Sequence, residues 1–146
     1  MVEVVVATSI ILVSVLAAMS VAQKSIYVSR ESLHMTQSAY LLEEGAEVVR
    51  ILRDNAWINI SSLTVGTNYY PTFSGGTWIL STGANTIGIF TRKVTIASVN
   101  RNGNQDISTT GTNDTGTKLI TITVSWLEGG NIINKILQFY ITDIFS

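Results

Sequence analysis

The sequence contains no cysteine, and histidine and proline each occur once, as His34 and Pro71. Without cysteine the chain cannot form a disulfide, a thiolate metal site or a cysteine nucleophile, and one histidine excludes a multi-histidine metal site within one chain. The sequence also shows no paired carboxylates, no phosphate-binding glycine loop and no nucleophile–base set. We therefore expect neither enzymatic activity nor a cofactor.

Neither part of the chain has a strong excess of positive or negative charge. Charged residues make up 13% of the sequence, against roughly 25% in a typical soluble domain. Residues 3–57 carry six acids and four bases, and the rest carries four acids and five bases. Nucleic-acid binders have a basic patch or stripe, so we expect no nucleic-acid partner. The five later bases are predicted to be scattered and solvated, the alternative being a patch that contacts DNA: Arg92, Lys93, Arg101, Lys118 and Lys135.

A long apolar run fills the start of the chain. Residues 4–22 carry no formal charge, and their polar side chains are those of Thr8, Ser9, Ser14 and Ser20. A helix of roughly 18 or more such residues is long enough to cross a bilayer. Glu3 stands directly before this run, where an ionisable side chain is costly unless it has a partner.

A membrane anchor fits this run better than a cleaved secretory signal does. A signal peptide begins with basic residues, whereas an acid stands in that place here, although residues 17–22 imitate a cleavage site. The nearest bases, Lys24 and Arg30, follow the run. By the positive-inside rule they would keep the rest of the chain in the cytoplasm. That expectation is reversed if a basic leader is present during insertion and removed afterwards.

A single long helix is predicted from about residue 3 to residue 53, because no glycine or proline occurs before Gly45. Apolar residues at helical spacing in its second half predict one buried stripe: Leu41, Leu42, Gly45, Ala46, Val48, Val49, Leu52 and Ala56. The opposite face is predicted to carry the ion pairs Glu47–Arg50 and Arg50–Asp54. The first half is apolar on every side and therefore needs lipid or packed neighbouring helices.

From Ile58 onward a period-two alternation replaces the helical pattern and predicts β-strands. The clearest pair is a hairpin that turns at Gly129-Gly130. Its predicted partners are Trp126 with Ile133, Val124 with Lys135, Ile122 with Leu137, and Ile120 with Phe139. The sequence thus predicts an α+β fold in which a long N-terminal helix packs on a C-terminal antiparallel β-sheet.

Other parts of residues 58–146, the head, are predicted in less detail. Another strand is expected over residues 87–99, and a short hairpin about Gly75-Gly76. The three tryptophans are expected to fill the core: Trp57, Trp78 and Trp126. Asn59 and Asn113 each begin a sequence that fits the glycosylation sequon.

Residues 100–117 are polar apart from Ile107 and are predicted to form an exposed loop. The alternative is a calcium site, because asparagine and aspartate alternate along residues 100–106 and oxygen ligands suit Ca²⁺. Asp106 and Asp114 would be its only anionic ligands in this stretch.

Two stretches of the chain resemble the type IV pilins and their relatives. VEVVVATSIILVSVLAA is similar to the pilin N-terminal segment, in which a glutamate closely follows the leader-peptidase site, and LLEEGAEVVRILRDNAW with its following sheet is similar in architecture. The resemblance implies that Glu3 neutralises the N-terminal amine of a neighbouring subunit during assembly, so Met1 and Glu3 are its candidate assembly residues. A buried carboxylate needs such a partner, and a staggered helix N-terminus offers an ammonium and the positive end of a dipole. The alternative is that Glu3 only marks the membrane surface.

The sequence therefore predicts three segments. Residues 1–24 form the membrane or filament-core half of the helix, residues 25–57 its amphipathic half, and residues 58–146 the β-rich head. The resemblance implies a structural subunit of a type IV pilus at the cell surface, with a membrane-inserted precursor. Its partners would be identical subunits, the assembly machinery and the prepilin peptidase. Alternatives are a minor pilin or secretion pseudopilin, a monomeric membrane-anchored binding module that uses residues 100–117, and a DNA-uptake protein.

Overall fold

A computed structural model describes residues 1–145 and contains two helices and seven strands. Helix α1 spans Val2–Asn55, and the short helix α2 spans Ile58–Ser61. The strands are β1 (Tyr70–Ser74), β2 (Thr77–Ser81), β3 (Thr86–Ile87), β4 (Phe90–Arg101), β5 (Ile107–Ser108), β6 (Thr112–Glu128) and β7 (Asn131–Thr142). The predicted α+β class is confirmed: a long N-terminal helix packs on an antiparallel sheet.

The chain divides into two compact units. The first, Met1–Gln37, consists of the N-terminal stretch of α1, and the second, Ser38–Ser146, holds the rest of α1 and all the strands. Helix α1 is continuous, as predicted, and it includes Gly45 without a break. Gly45 is buried, and a Cβ atom there would stand 3.0 Å from Ile122 Cγ2 and 3.3 Å from Arg92 Cδ. The missing side chain therefore lets β4 and β6 approach this turn closely.

The main sheet is antiparallel, with the strand order β3-β4-β6-β7, and β5 pairs with the end of β4. The predicted hairpin is confirmed in every named pair, since β6 and β7 turn at Gly129-Gly130 with Glu128 opposite Asn131. Both turn glycines have positive φ values, 57° and 84°, which residues with a side chain rarely adopt. The predicted hairpin about Gly75-Gly76 is also confirmed and forms a separate two-stranded sheet of β1 and β2.

The core of the second unit lies between the apolar stripe of α1 and one face of the main sheet. The stripe is confirmed, because Gly45, Ala46, Val48, Val49 and Leu52 are all buried. They pack with inward-facing strand residues that are 0–3% exposed: Val94, Ile96, Ile120, Ile122 and Ile141. Trp57 and Trp78 are only partly buried against this core, whereas Trp126 is buried and packs edge-on against Phe90.

One predicted strand is present with a later start, and two local predictions were wrong. The strand predicted over residues 87–99 begins at Phe90, because the chain turns at Gly88 with φ 61° and leaves Ile87 on β3. Residues 100–117 are not simply a loop, since β4, β5 and β6 all enter that range. Asp54 pairs with Arg53 at 2.8 Å instead of Arg50, whose guanidinium pairs with Glu47 and lies over the Phe139 ring.

Candidate functional site

The candidate assembly residues lie at the start of α1. Glu3 is in the first turn of the helix, and the amide of Val5 donates to the carbonyl of Met1 at 3.3 Å. A carboxylate in a first turn is stabilised by the unpaired amides and the positive end of the helix dipole, typically by about 0.3–1 kcal/mol. Met1 therefore directly precedes α1, and Glu3 lies within its first turn. The predicted pairing of Glu3 involves a second copy of the chain and stays a prediction.

The helix surface that follows is apolar and exposed on all sides. Every residue from 1 to 30 is exposed, and Val4, Ile11, Val13 and Leu16 each keep more than 60% of their surface. The helix is long and apolar enough to cross a membrane. Fully burying one such side chain is worth about 1.5–3 kcal/mol. A surface of this size is therefore strongly favoured in lipid or between other helices.

The hydroxyl groups within the apolar run are satisfied by the helix itself. Thr8 and Ser9 donate to the Val5 carbonyl at 3.0 and 2.7 Å, Ser14 donates to Ile10 at 2.8 Å, and Ser20 donates to Ala17 at 2.9 Å. A hydroxyl without a hydrogen bond in an apolar medium costs several kcal/mol. These bonds therefore make the run compatible with surroundings that contain no water.

Arg92 is not a solvated base, contrary to the prediction. It is 1% exposed on the inner face of β4, and one guanidinium nitrogen lies 2.9 Å from Glu44 Oε2 and 3.3 Å from the Leu41 carbonyl. The ring of Trp78 lies 5.9 Å from the guanidinium carbon. The period-two pattern was the available signal, because Arg92 is in phase with the inward-facing Val94 and Ile96.

The predicted set of five scattered bases is wrong at a second position. Lys118 is 8% exposed on β6, and it is in phase with the buried Ile120. Arg101 is paired with Asp114 at 2.6 Å. A DNA-contacting patch of all five bases is not formed, because two of them are buried and a third is engaged by a carboxylate.

The polar segment 100–117 folds around Arg101. Its guanidinium donates to Asp114 Oδ2 at 2.6 Å and to the Gln105 carbonyl at 2.7 Å, while Asn102 Oδ1 accepts from the amides of Asn104 and Asp106. Beside these contacts lies a polar cleft whose lining includes Arg101, Asn102 and Asp114. The segment is therefore ordered by its own side chains.

The calcium alternative loses one of its two carboxylates, that of Asp114. Hydrogen bonds from the Thr117 hydroxyl and the Arg101 guanidinium lower the pKa of Asp114, so this carboxylate is charged and already paired. Within residues 1–145, the structure brings no three His, Asp or Glu side chains together as a metal-holding group. Asp106 alone does not supply the carboxylates that Ca²⁺ sites use.

The two sequons differ in their surroundings. The side-chain amide of Asn59 donates to the Leu52 carbonyl at 3.0 Å, near the end of α1. Asn113 lies exposed on β6 opposite Asn100. The nitrogen that would carry a glycan is thus engaged at Asn59.

Comparisons of the chain with protein-family models, with curated proteins and with solved structures find no match.

Proposed function

We propose that the chain is a structural subunit of an extracellular type IV pilus, a filament used for surface attachment or motility. In this proposal the chain is first inserted in the membrane and then polymerises through its N-terminal helix. A prepilin peptidase and an assembly machine, both separate proteins, process and move it. The observation that carries the proposal is a helix exposed and apolar on every side over residues 4–22, with one carboxylate at its start.

The apolar helix surface and the Glu3 carboxylate need different surroundings. Lipid satisfies the apolar surface in the precursor, and neighbouring copies of the same helix satisfy it in the filament. Glu3 is stable near a membrane surface, but inside a bundle of apolar helices it requires a positive partner. The amino terminus of a staggered neighbour meets that need, and it fixes the axial offset between the two copies.

The first test is electron cryomicroscopy of filaments sheared from the source cells. The proposal expects that the chain can be built into the map, with helices bundled inside and Glu3 beside a neighbour's amino terminus. Filaments built from another chain would make this one a minor pilin or a secretion pseudopilin. A chain found only dispersed in the membrane would support the monomeric membrane-anchored binding module instead.

A substitution separates assembly from insertion. Glu3→Gln keeps the shape of the side chain but removes its charge, and Glu47→Gln removes a charge elsewhere on α1. We expect Glu3→Gln to abolish filaments while the chain remains in the membrane with a folded head. Glu47→Gln should assemble normally. Normal filaments from Glu3→Gln would refute the pairing role.

A further inference from the structure

Two bases and one aromatic ring form a cluster just beyond the apolar run. Lys24 Nζ lies 5.4 Å from the centroid of the Tyr27 ring, and the guanidinium carbon of Arg30 lies 5.9 Å from the same centroid. The three residues are three positions apart, so they share one face of α1. Lys24 and Arg30 are the first charges after Glu3, and the next acid is Glu31. The cluster therefore concentrates positive charge around one ring.

The hydrogen bonding of the side-chain hydroxyls also changes just beyond the apolar run. Within the apolar run they donate to carbonyls of α1, as described above. In the described part of the chain, the exposed hydroxyls of Ser25, Ser29 and Ser32 make no hydrogen bond. Together with Lys24 and Val28 they line a shallow groove, whose lining does not include Tyr27 or Arg30. Because hydroxyls without a hydrogen bond are costly in an apolar medium, this part of the helix is suited to the polar layer outside the hydrocarbon.

The position along the helix matches the depth of lipid headgroups. From Glu3 to Lys24 the helix rises about 30 Å, which is about the thickness of the hydrocarbon core of a bilayer. With Glu3 at one surface, Lys24 therefore reaches the other surface, and Tyr27 and Arg30 lie in the polar layer beyond it. Tyrosine and basic side chains favour this layer because their polar ends can reach the headgroups.

We propose that Lys24, Tyr27 and Arg30 bind the phosphate of an anionic phospholipid such as phosphatidylglycerol. The two cations contact the phosphate, and the ring holds the cluster at the boundary of the hydrocarbon. This site concerns the chain in the bilayer, and it stands whether or not the chain polymerises. It also sets the depth of the helix and so the level at which the following residues leave the membrane.

The test measures lipid selectivity of the full chain in phosphatidylcholine vesicles. Electron spin resonance compares the fraction of spin-labelled phosphatidylglycerol held at the protein with that of spin-labelled phosphatidylcholine. A base near an anionic surface contributes about fivefold in affinity, so we expect the native chain to prefer phosphatidylglycerol by about fivefold or more. Lys24→Gln/Arg30→Gln should remove this preference. The matched control, Arg50→Gln/Arg53→Gln, removes two charges elsewhere on α1 and should keep it.

The other possible results of this experiment also test the lipid site. No preference in the native chain, or the same preference in the Lys24→Gln/Arg30→Gln variant, would overturn the proposal. Loss of the preference in inorganic phosphate, but not in sodium chloride of equal ionic strength, would assign the site to free phosphate instead of lipid. If the double variant fails to insert, the single variants are compared, and each should lose part of the preference.

Insertion itself is measured separately, by resistance of the native chain to alkaline carbonate extraction. Failure to insert into any vesicle would contradict the membrane stage of the proposed function, and with it the lipid site. Insertion without selectivity would overturn only the lipid site and leave the pilus proposal standing.

Discussion

Removing the charge of Glu44 tests how the buried Arg92 is tolerated. Arg92 is 1% exposed, whereas the Glu44 side chain is 45% exposed and lies 2.9 Å away. Two charges at about 4 Å interact by about 1 kcal/mol in water and about 4 kcal/mol at an effective dielectric constant of 20. Because Glu44 is half in water, we expect Glu44→Gln to lower the free energy of unfolding by about 1–2 kcal/mol.

A double-mutant cycle isolates this pair. Arg92→Met keeps an unbranched side chain of similar length in the core and leaves Glu44 facing water. Replacing a buried ion pair by apolar groups is often close to neutral, so in the Arg92→Met background Glu44→Gln should cost about 0–0.5 kcal/mol. The control is Glu43→Gln, on the neighbouring exposed residue, which should change stability by less than about 0.5 kcal/mol.

The assay is urea unfolding of the full chain in detergent micelles, followed by tryptophan fluorescence. The three tryptophans all belong to residues 57–126, so the signal reports on the second unit. An equal cost of Glu44→Gln in the native and Arg92→Met backgrounds would refute the reasoning. So would equal effects of Glu44→Gln and Glu43→Gln.

Three further predictions use the same unfolding assay. Ile122→Ala removes a side chain with 0% exposure and should cost about 2–5 kcal/mol, whereas Ile136→Ala, on a residue 61% exposed, should cost less than about 1 kcal/mol. Gly111 has φ 124°, and a Cβ atom there would lie 2.1 Å from a backbone oxygen, so Gly111→Ala should cost at least about 2 kcal/mol. Gly103→Ala, with open space around it, should change stability by less than about 1 kcal/mol. The lowered pKa of Asp114 contributes stability above its unfolded value of 3.8, and this is lost as the pH falls through the lower folded value. Asp114→Asn should therefore flatten the acid limb of the stability curve.

Each of the three has a contradicting result. Equal costs at Ile122 and Ile136 would mean that the inner face of the sheet is not the core. A harmless Gly111→Ala would contradict the close approach to β4. An unchanged acid limb in Asp114→Asn would show that other carboxylates cause the loss of stability at low pH.

The helix and the last hairpin could be predicted from the sequence because their signals are local. Helix α1 lacks breakers before Gly45, and its stripe repeats at helical spacing. The hairpin of β6 and β7 combines strict alternation with a Gly-Gly turn, and a shift of one residue would expose a whole apolar face. The Gly-Gly turn and the alternation of apolar residues therefore predict the same register for β6 and β7.

The misplaced residues depend on contacts between distant parts of the chain. Arg92 was predicted to be solvated because it is charged, but Glu44 and the Leu41 carbonyl lie about fifty residues earlier in the sequence and make its burial possible. Asp114 was considered as a metal ligand, and pairing with Arg101 occupies it instead. Charge alone does not show whether a partner will be present, so these roles required the structure.

The inward position of Lys135 has a consequence for crowding. The main sheet ends on one side with β3, which has two residues, and on the other with β7, which has twelve. Lys135 lies on the core-facing side of β7, opposite Val124 and in phase with Leu137. Short edges and inward-pointing charges both oppose the addition of foreign strands. The edges of the sheet are therefore poor sites for pairing with the strands of another molecule, even at high protein concentration.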